Sequence, residues 1–348
     1  MQITTIGLDL AKHWFQVHGV DANGRIVVRR RLWRSGVSAY FRSLEPCVVG
    51  MEACATAHYW ARELTALGHT VKLMPPAYVK AYVKRNKNDA ADAAAICEAV
   101  TRPSMRFVPL KDAEQQSVLM LHRARSLLVR QRTMLVNALR AHLAEFGIVA
   151  PQGLRHVEIL TKTIAHQQAQ LPELARSILQ TIVDQLNGTM ARIREIEGRL
   201  TKWHRESRVS RLLATVPGVG IMGASAIAAT VTDPTPFRSG REFAAWLGMT
   251  PRQNSSGGKE RLGRITKMGD KYLRKLLVIG ATSLVRRARH KPETADQRLV
   301  GLLARKPVRV ATVAMANKMA RIVWAVMTRG DVYQASHAPM LAAKGAEG

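Results

Sequence analysis

Residues 3–32, ITTIGLDLAKHWFQVHGVDANGRIVVRRRL, contain three short runs rich in β-branched and aromatic residues, at 3–10, 13–20 and 25–32. Runs of this kind bounded by turn-prone residues read as strands, and Asn23-Gly24 between the second and third favours a tight hairpin. The spacing predicts a three-stranded meander. Beyond it come an amphipathic stretch from Val37 to Leu44, an apolar run from Cys47 to Gly50, a helical stretch near Ala57–Leu67 and a strand from His69 to Met74. Helical segments begin near Ala77 and Asp89. The order is β-β-β-α-β-α-β-α.

A meander followed by β/α alternation predicts an α/β, RNase H-like domain, a mixed sheet with helices on both faces. Asp9 falls on the first strand, Glu52 just past the fourth, and Asp89 and Asp92 on the helix after the fifth. Three residues apart on a helix, the last two share a face. In such a fold these positions converge, and four carboxylates are hard oxygen donors suited to Mg²⁺ (or Mn²⁺) ions about 4 Å apart. The plainer alternative has Asp89 capping the helix and Asp92 in its first turn, each favoured by the helix dipole. Asp9 resists that reading, because an acid in an apolar strand is costly unless paired or metal-bound.

The surrounding chain is strongly basic: 53 Lys and Arg against 25 Asp and Glu leave a formal charge of +28, which implies a polyanionic partner. Nucleic acid fits; a membrane does not, since apolar stretches such as Leu276–Val285 fall short of the roughly 20 residues a span needs. The start, MQITTIGLDLAK, lacks a basic region ahead of an apolar run, so the expected location is cytoplasmic. Cys47, Cys54 and Cys97 form no CxxC pair and read as buried thiols.

From Lys111 to Phe146 the sequence predicts one long basic helix, with Leu121, Leu128 and Leu135 seven apart and arginines such as Arg125 and Arg140 on other faces. After Pro151 and Gly153 a second begins near Pro172. Leu179, Leu186, Ile193 and Leu200 repeat at heptad spacing, with Ile182, Thr189, Ile196 and Trp203 three residues later. This predicts a coiled coil, either with the preceding helix or between subunits. PGVGIMG at 217–223 holds a G-x-G-x-x-G at Gly218, Gly220 and Gly223, but no strand leads into it, so a helix-hairpin-helix turn with backbone amides for phosphate is expected instead of a dinucleotide site. Ser255-Ser256-Gly257-Gly258 then lies among Arg252, Lys259, Arg261, Arg264, Lys267, Lys271 and Arg274. On chemistry alone this loop is either a phosphate cradle or the seat of a nucleophile activated by nearby cations. Lys12, Lys84, Arg85 and Lys87 accompany the acids as candidate nucleic-acid contacts. Pro307–Gly330 predicts a helix packed on one spanning Asp270–Arg289.

GLDLAK at 7–12, MEACATAHYW at 51–60 and KNDAADA at 87–93 resemble the DEDD motifs of the bridge-RNA-guided insertion-sequence transposases, the insertion sequence 110 family. LGMTPRQNSSGG at 247–258 is similar to that family's C-terminal transposase motif. The resemblance implies a RuvC-like metal site formed by Asp9, Glu52, Asp89 and Asp92. It implies a serine that bonds covalently to DNA, at Ser256 with Ser255 in reserve. It also implies double-stranded DNA at element ends and target, a noncoding bridge RNA, and a homo-oligomer, dimer or tetramer, in which acids and serine come from different subunits.

The expected organisation is a RuvC-like domain over 1–110, a helical coiled-coil spacer over 111–206, a mainly helical C-terminal domain over 207–333 and a disordered tail over 334–348. The expected function is metal-dependent DNA strand cleavage and exchange. The alternatives are a RuvC-like junction or structure-specific endonuclease using the acids and water, and a DNA-binding architectural protein.

Overall fold

The computed structural model describes residues 2–83, 88–149, 153, 171–254 and 261–334. The expectations for Lys84, Arg85, Lys87, Ser255, Ser256, Lys259 and the tail beyond Gln334 lie outside the described residues. The chain divides into two compact units, one of 1–116 with 231–236, the other of 117–230 with 237–348.

The first unit is built on a five-stranded sheet of order β3-β2-β1-β4-β5, from β1 (Thr5–Leu10), β2 (Trp14–Val20), β3 (Ile26–Trp33), β4 (Val48–Glu52) and β5 (Thr70–Met74). The meander is antiparallel, and β1, β4 and β5 run parallel. Gly24 turns the β2–β3 connection at φ +76°, helped by Asp21 Oδ1, which accepts from the backbone N–H of Asn23 and Arg25 at 2.9 Å each.

Helices cover both faces, so the central strand is buried on both sides. Ile6, Leu8, Phe15, Val17, Leu32, Val49 and Met51 form one face, packed with Val37 and Phe41 of α1 (Val37–Arg42) and Trp60, Ala61 and Leu64 of α2 (Ala57–Ala66). After a single turn, α3 (Pro76–Val79), the opposite face receives α4 (Asp89–Val100). Its alanine-rich sequence lies on two glycines, one on each central parallel strand. A Cβ on Gly7 would overlap the backbone of Ala93 and Cys97, and one on Gly50 would stand 2.8 Å from Val100 Cβ. This mixed α/β unit is compatible with the RNase H-like expectation.

The second unit is mostly helical: α5 (Ala113–Ala144), α6 (Glu173–Glu206), α7 (Arg208–Ala214), α8 (Ile221–Thr230), α9 (Gly240–Trp246), α10 (Lys271–His290), α11 (Gln297–Arg305) and α12 (Val308–Arg329). The heptad seam of α6 is buried within the chain. Leu179, Val183 and Leu186 meet Val136, Leu139 and Leu143 near one end, and Leu200, Ile196 and Trp203 meet Val118, Leu119 and Leu121 near the other. The two helices therefore run antiparallel, joined further by Arg125–Glu197 at 2.6 Å. That seam is no evidence for a second copy.

Among the described residues one helix, α12, is long and apolar enough to cross a membrane, contrary to the expectation that no stretch is. Its buried stripe, including Ala316, Met319, Ala320 and Val323, nevertheless packs on α9 and α10, as a core helix does. The sequence also conceals a small antiparallel hairpin, β6 (Pro251–Gln253) with β7 (Leu262–Ile265), and the serine segment connects its strands.

Candidate functional site

The carboxylates are positioned by the sheet and by the seat of α4. Thr5 to Leu8 on β1 pair in parallel register with Val48 to Met51 on β4. One residue further, Asp9 and Glu52 reach the carboxyl ends of adjacent strands, where open sites of parallel sheets form. Both are half-buried.

Next comes the placement of α4. Cys97 Sγ points at the Thr5 carbonyl oxygen at 3.8 Å, and Ala93 and Cys97 bracket Gly7, so the helix runs opposite to β1. A helical turn rises about 5.4 Å and two strand residues about 6.6 Å, so Asp89 at the next turn and Asp9 at the next pleat arrive at the same end. Asp92 shares that first turn. The helix cap is Asn88, whose Oδ1 accepts from Ala91 N–H at 2.8 Å, and not Asp89. Asp89 is exposed and Asp92 half-buried.

The close metal pair expected from sequence is not preformed. Among the described residues, no three side chains of His, Cys, Asp or Glu stand together as a metal-holding group. The four acids share one end of the unit without closing into a ligand set, although their chemistry suits a hard divalent cation.

Cys47 and Cys97 are buried as expected, but Cys54, two residues beyond Glu52, departs from that expectation. It is exposed as a residue rather than buried. Partial burial of its thiol, and then the Glu52 and Asp9 carboxylates, raise its pKa, so one thiol senses both acids. Thr56 follows with a left-handed φ of 71°, unusual for a β-branched residue, at the start of α2.

Several predicted DNA contacts have structural duties. Arg274 donates from Nη1 to the carbonyl oxygens of Leu247 at 2.9 Å and Met268 at 3.0 Å, fastening α10 to the loop before it. Gly218, at φ +82°, lies so close to α10 and α12 that a Cβ would stand 2.8 Å from Met319 Cε. Gly220 is open, with nothing within 4 Å of a Cβ, at the start of α8. Lys12, Arg252, Arg261, Arg264, Lys267 and Lys271 are exposed.

A buried polar cluster in the helical unit also escaped notice. His122 on α5 meets Tyr272 Oη through Nδ1 at 3.0 Å and Ser225 Oγ through Nε2 at 3.2 Å. Burial, with Arg125 adding to it, pushes His122 down to about 4, so the ring is neutral. Tyr272 lies in the first turn of α10, capped by Asp270, so this cluster ties the helix following β7 to α5 and α8. A lone histidine inside a basic amphipathic helix gives no sign of such partners.

The chain is similar to known proteins over nearly its whole length. Residues 6–148 match the DEDD transposase family model of the IS110 type, and residues 210–297 match the model described as "Transposase IS116/IS110/IS902 family". A Pseudomonas aeruginosa protein named "Probable family 20 transposase" is 51% identical over 96% of this chain and 99% of its own. The transposase for insertion sequence element IS1328 of Yersinia enterocolitica is 40% identical over 95% and 98%. That for IS1111A of Coxiella burnetii is 37% identical over 95% and 92%. With the acid-bearing sheet and the basic helical unit both inside these matches, the chain belongs to the IS116/IS110/IS902 family of transposases.

Proposed function

We propose that this transposase cuts and exchanges DNA strands by joining a carboxylate site for divalent metal to a serine nucleophile. The observation that carries the reading is the seat of α4 on Gly7, which brings Asp89 and Asp92 to the strand ends bearing Asp9 and Glu52. In this reading Asp9 and Glu52 hold the cation from the sheet, and Asp89 and Asp92 complete its ligands from the helix. Mg²⁺ or Mn²⁺, when bound, supplies Lewis acidity at the scissile phosphate.

Ser256 Oγ attacks phosphorus and loses its proton, one phosphorus–oxygen bond to deoxyribose breaks, and the departing oxygen leaves as a hydroxyl. The serine phosphodiester conserves that bond until a hydroxyl of another strand displaces the serine. Ser255 is the reserve nucleophile. Exposed Arg252, Arg261, Arg264, Lys267 and Lys271 around the hairpin suit phosphate contact, as does the open turn at Gly220. Target choice belongs to a noncoding bridge RNA, in keeping with a charge of +28 that supplies affinity without sequence. The working assembly is an oligomer with acids and serine from different subunits.

The test incubates protein, the element's RNA and end DNA with Mg²⁺. Strand exchange through a protease-sensitive adduct, absent in Ser256→Ala, is the expected result. Hydrolysed ends without an adduct would leave a nuclease, and an adduct persisting in Ser256→Ala would move the nucleophile elsewhere.

A further inference from the structure

The sheet face that carries Asp9 extends past it to an open edge. In the antiparallel register Asp9 pairs with Gln16, and Gln16 with Arg31, giving one cross-strand row about 10 Å long, two strand spacings. On either side of that row, Trp14 pairs with Trp33 and His18 with Arg29. The His18 end is buried, but Arg29, Arg31 and Trp33 are exposed, Trp33 to 58%.

The side chains at this edge are already arranged around aromatic rings. The Trp14 and Trp33 rings lie in contact, tilted by 31°, and the Arg31 guanidinium stands 4.6 Å over Trp14. Trp33 also borders a cleft of about 650 Å³ with Tyr59, 47% exposed, and Arg34, whose guanidinium lies 5.4 Å from the Trp60 ring. Neither β2 nor β3 contains a carboxylate, whereas β3 carries Arg29, Arg30 and Arg31 in succession.

An exposed large aromatic beside unopposed arginines suits unpaired nucleotides. The rings stack on bases of any sequence while the cations track phosphates. A duplex keeps the faces of its bases stacked inside and offers only groove edges and its sugar-phosphate backbone, so Trp33 would gain little stacking from it. The strand exchange proposed above parts the strands of DNA, which makes single-stranded DNA the occupant that this reaction supplies.

We propose that the Trp14–Trp33 edge, with Arg29 and Arg31, is a stacking platform for an unpaired DNA strand leading to or from the acid-bearing end of the sheet. The choice of DNA as occupant and the location of the chemistry rest on the function proposed above; the aromatic and cationic make-up of the edge does not.

The experiment measures binding by the full-length protein in EDTA, where no cleavage intrudes. The probe is fluorescein-labelled oligo(dT) of about 15 nucleotides, set against a blunt duplex and oligo(rU). Trp33→Ala is expected to weaken oligo(dT) binding about tenfold, to change duplex binding less than about twofold, and to be rescued by Trp33→Phe. Trp33→Ala binding oligo(dT) like the parent would overturn the platform. So would an equal loss on duplex, or a preference for oligo(rU) with the loss confined to RNA. Asp9→Asn tests the other reading separately: it should bind oligo(dT) normally and fail to cut. If it cuts, the acid site falls and the platform stands.

Discussion

Replacing Gly7 by alanine probes the joint on which the proposed acid site depends. A Cβ at this position would overlap the Ala93 carbonyl oxygen and the Cys97 amide nitrogen, and would lie 2.8 Å from Cys97 Cβ. Ordinary contact begins at 3.4 Å, and the obstructing atoms are mostly backbone, so no rotamer change relieves the overlap. The middle of α4, at Ala93 and Cys97, must retreat from β1 by about 1 Å and shift the first turn with it, at an overpacking cost of about 1–3 kcal/mol. For a unit of this kind that corresponds to a fall in Tm of about 2–12 °C. The functional effect should be larger than the stability effect. A misplacement of about 1 Å in a catalytic constellation costs on the order of 100-fold in rate. The assay is element excision from a supercoiled plasmid under single-turnover conditions, below the variant's Tm, beside a thermal melt. Gly36→Ala is the control, because its Cβ would meet nothing within 4 Å and its φ of −89° suits alanine. Excision by Gly7→Ala at the parental rate, with an unchanged melt, would refute the seating of α4 on β1 as the basis of the site.

Two further outcomes follow from the same geometry. His122 has a folded-state pKa of about 4, below its ordinary value of 6.5, so protonation favours the unfolded chain. Its contribution to stability is full above pH 6.5 and is lost as the pH falls towards 4, by about 3 kcal/mol. His122→Gln should melt lower than the parent at neutral pH, with the gap shrinking through that window; a constant gap in melts taken every half unit would contradict a neutral buried ring. Thr56 holds a left-handed φ of 71°, so Thr56→Gly should relieve about 1 kcal/mol of strain and raise Tm, whereas a lower Tm would show that its side chain matters more than its backbone.

What could be read before the structure, and what could not, divides by physical cause. The meander was legible because Asn23-Gly24 and the alternating runs around it are local signals, and the sheet order follows from them with β4 and β5. The strand position of Asp9 was legible for the same reason, and Glu52, expected just past the fourth strand, is its last residue. Asn88 as the cap of α4 was not, because Asn and Asp compete for that role and only geometry decides. The α6 repeat announced a buried seam but could not say whose surface would bury it; α5 of the same chain does. The β6–β7 hairpin was hidden because its strands, three and four residues long, are almost wholly exposed and lack an apolar alternation. Arg274 and Gly218 looked like DNA contacts because charge and glycine are ambiguous signals, and their carbonyl partners and helix neighbours come from distant sequence. His122, Ser225 and Tyr272 come from three separate helices, a proximity no local pattern encodes.

In the proposed function Asp9, Glu52, Asp89 and Asp92 act as one metal-dependent site for DNA strand cleavage. Its most direct measurement is Mn²⁺ binding followed by electron paramagnetic resonance, on the full-length protein bound to element-end DNA, with strand cleavage scored in the same samples. Asp9→Asn and Asp92→Asn should each lose bound Mn²⁺ and cleavage together while retaining DNA binding. Parental Mn²⁺ binding and cleavage in both variants would contradict the account.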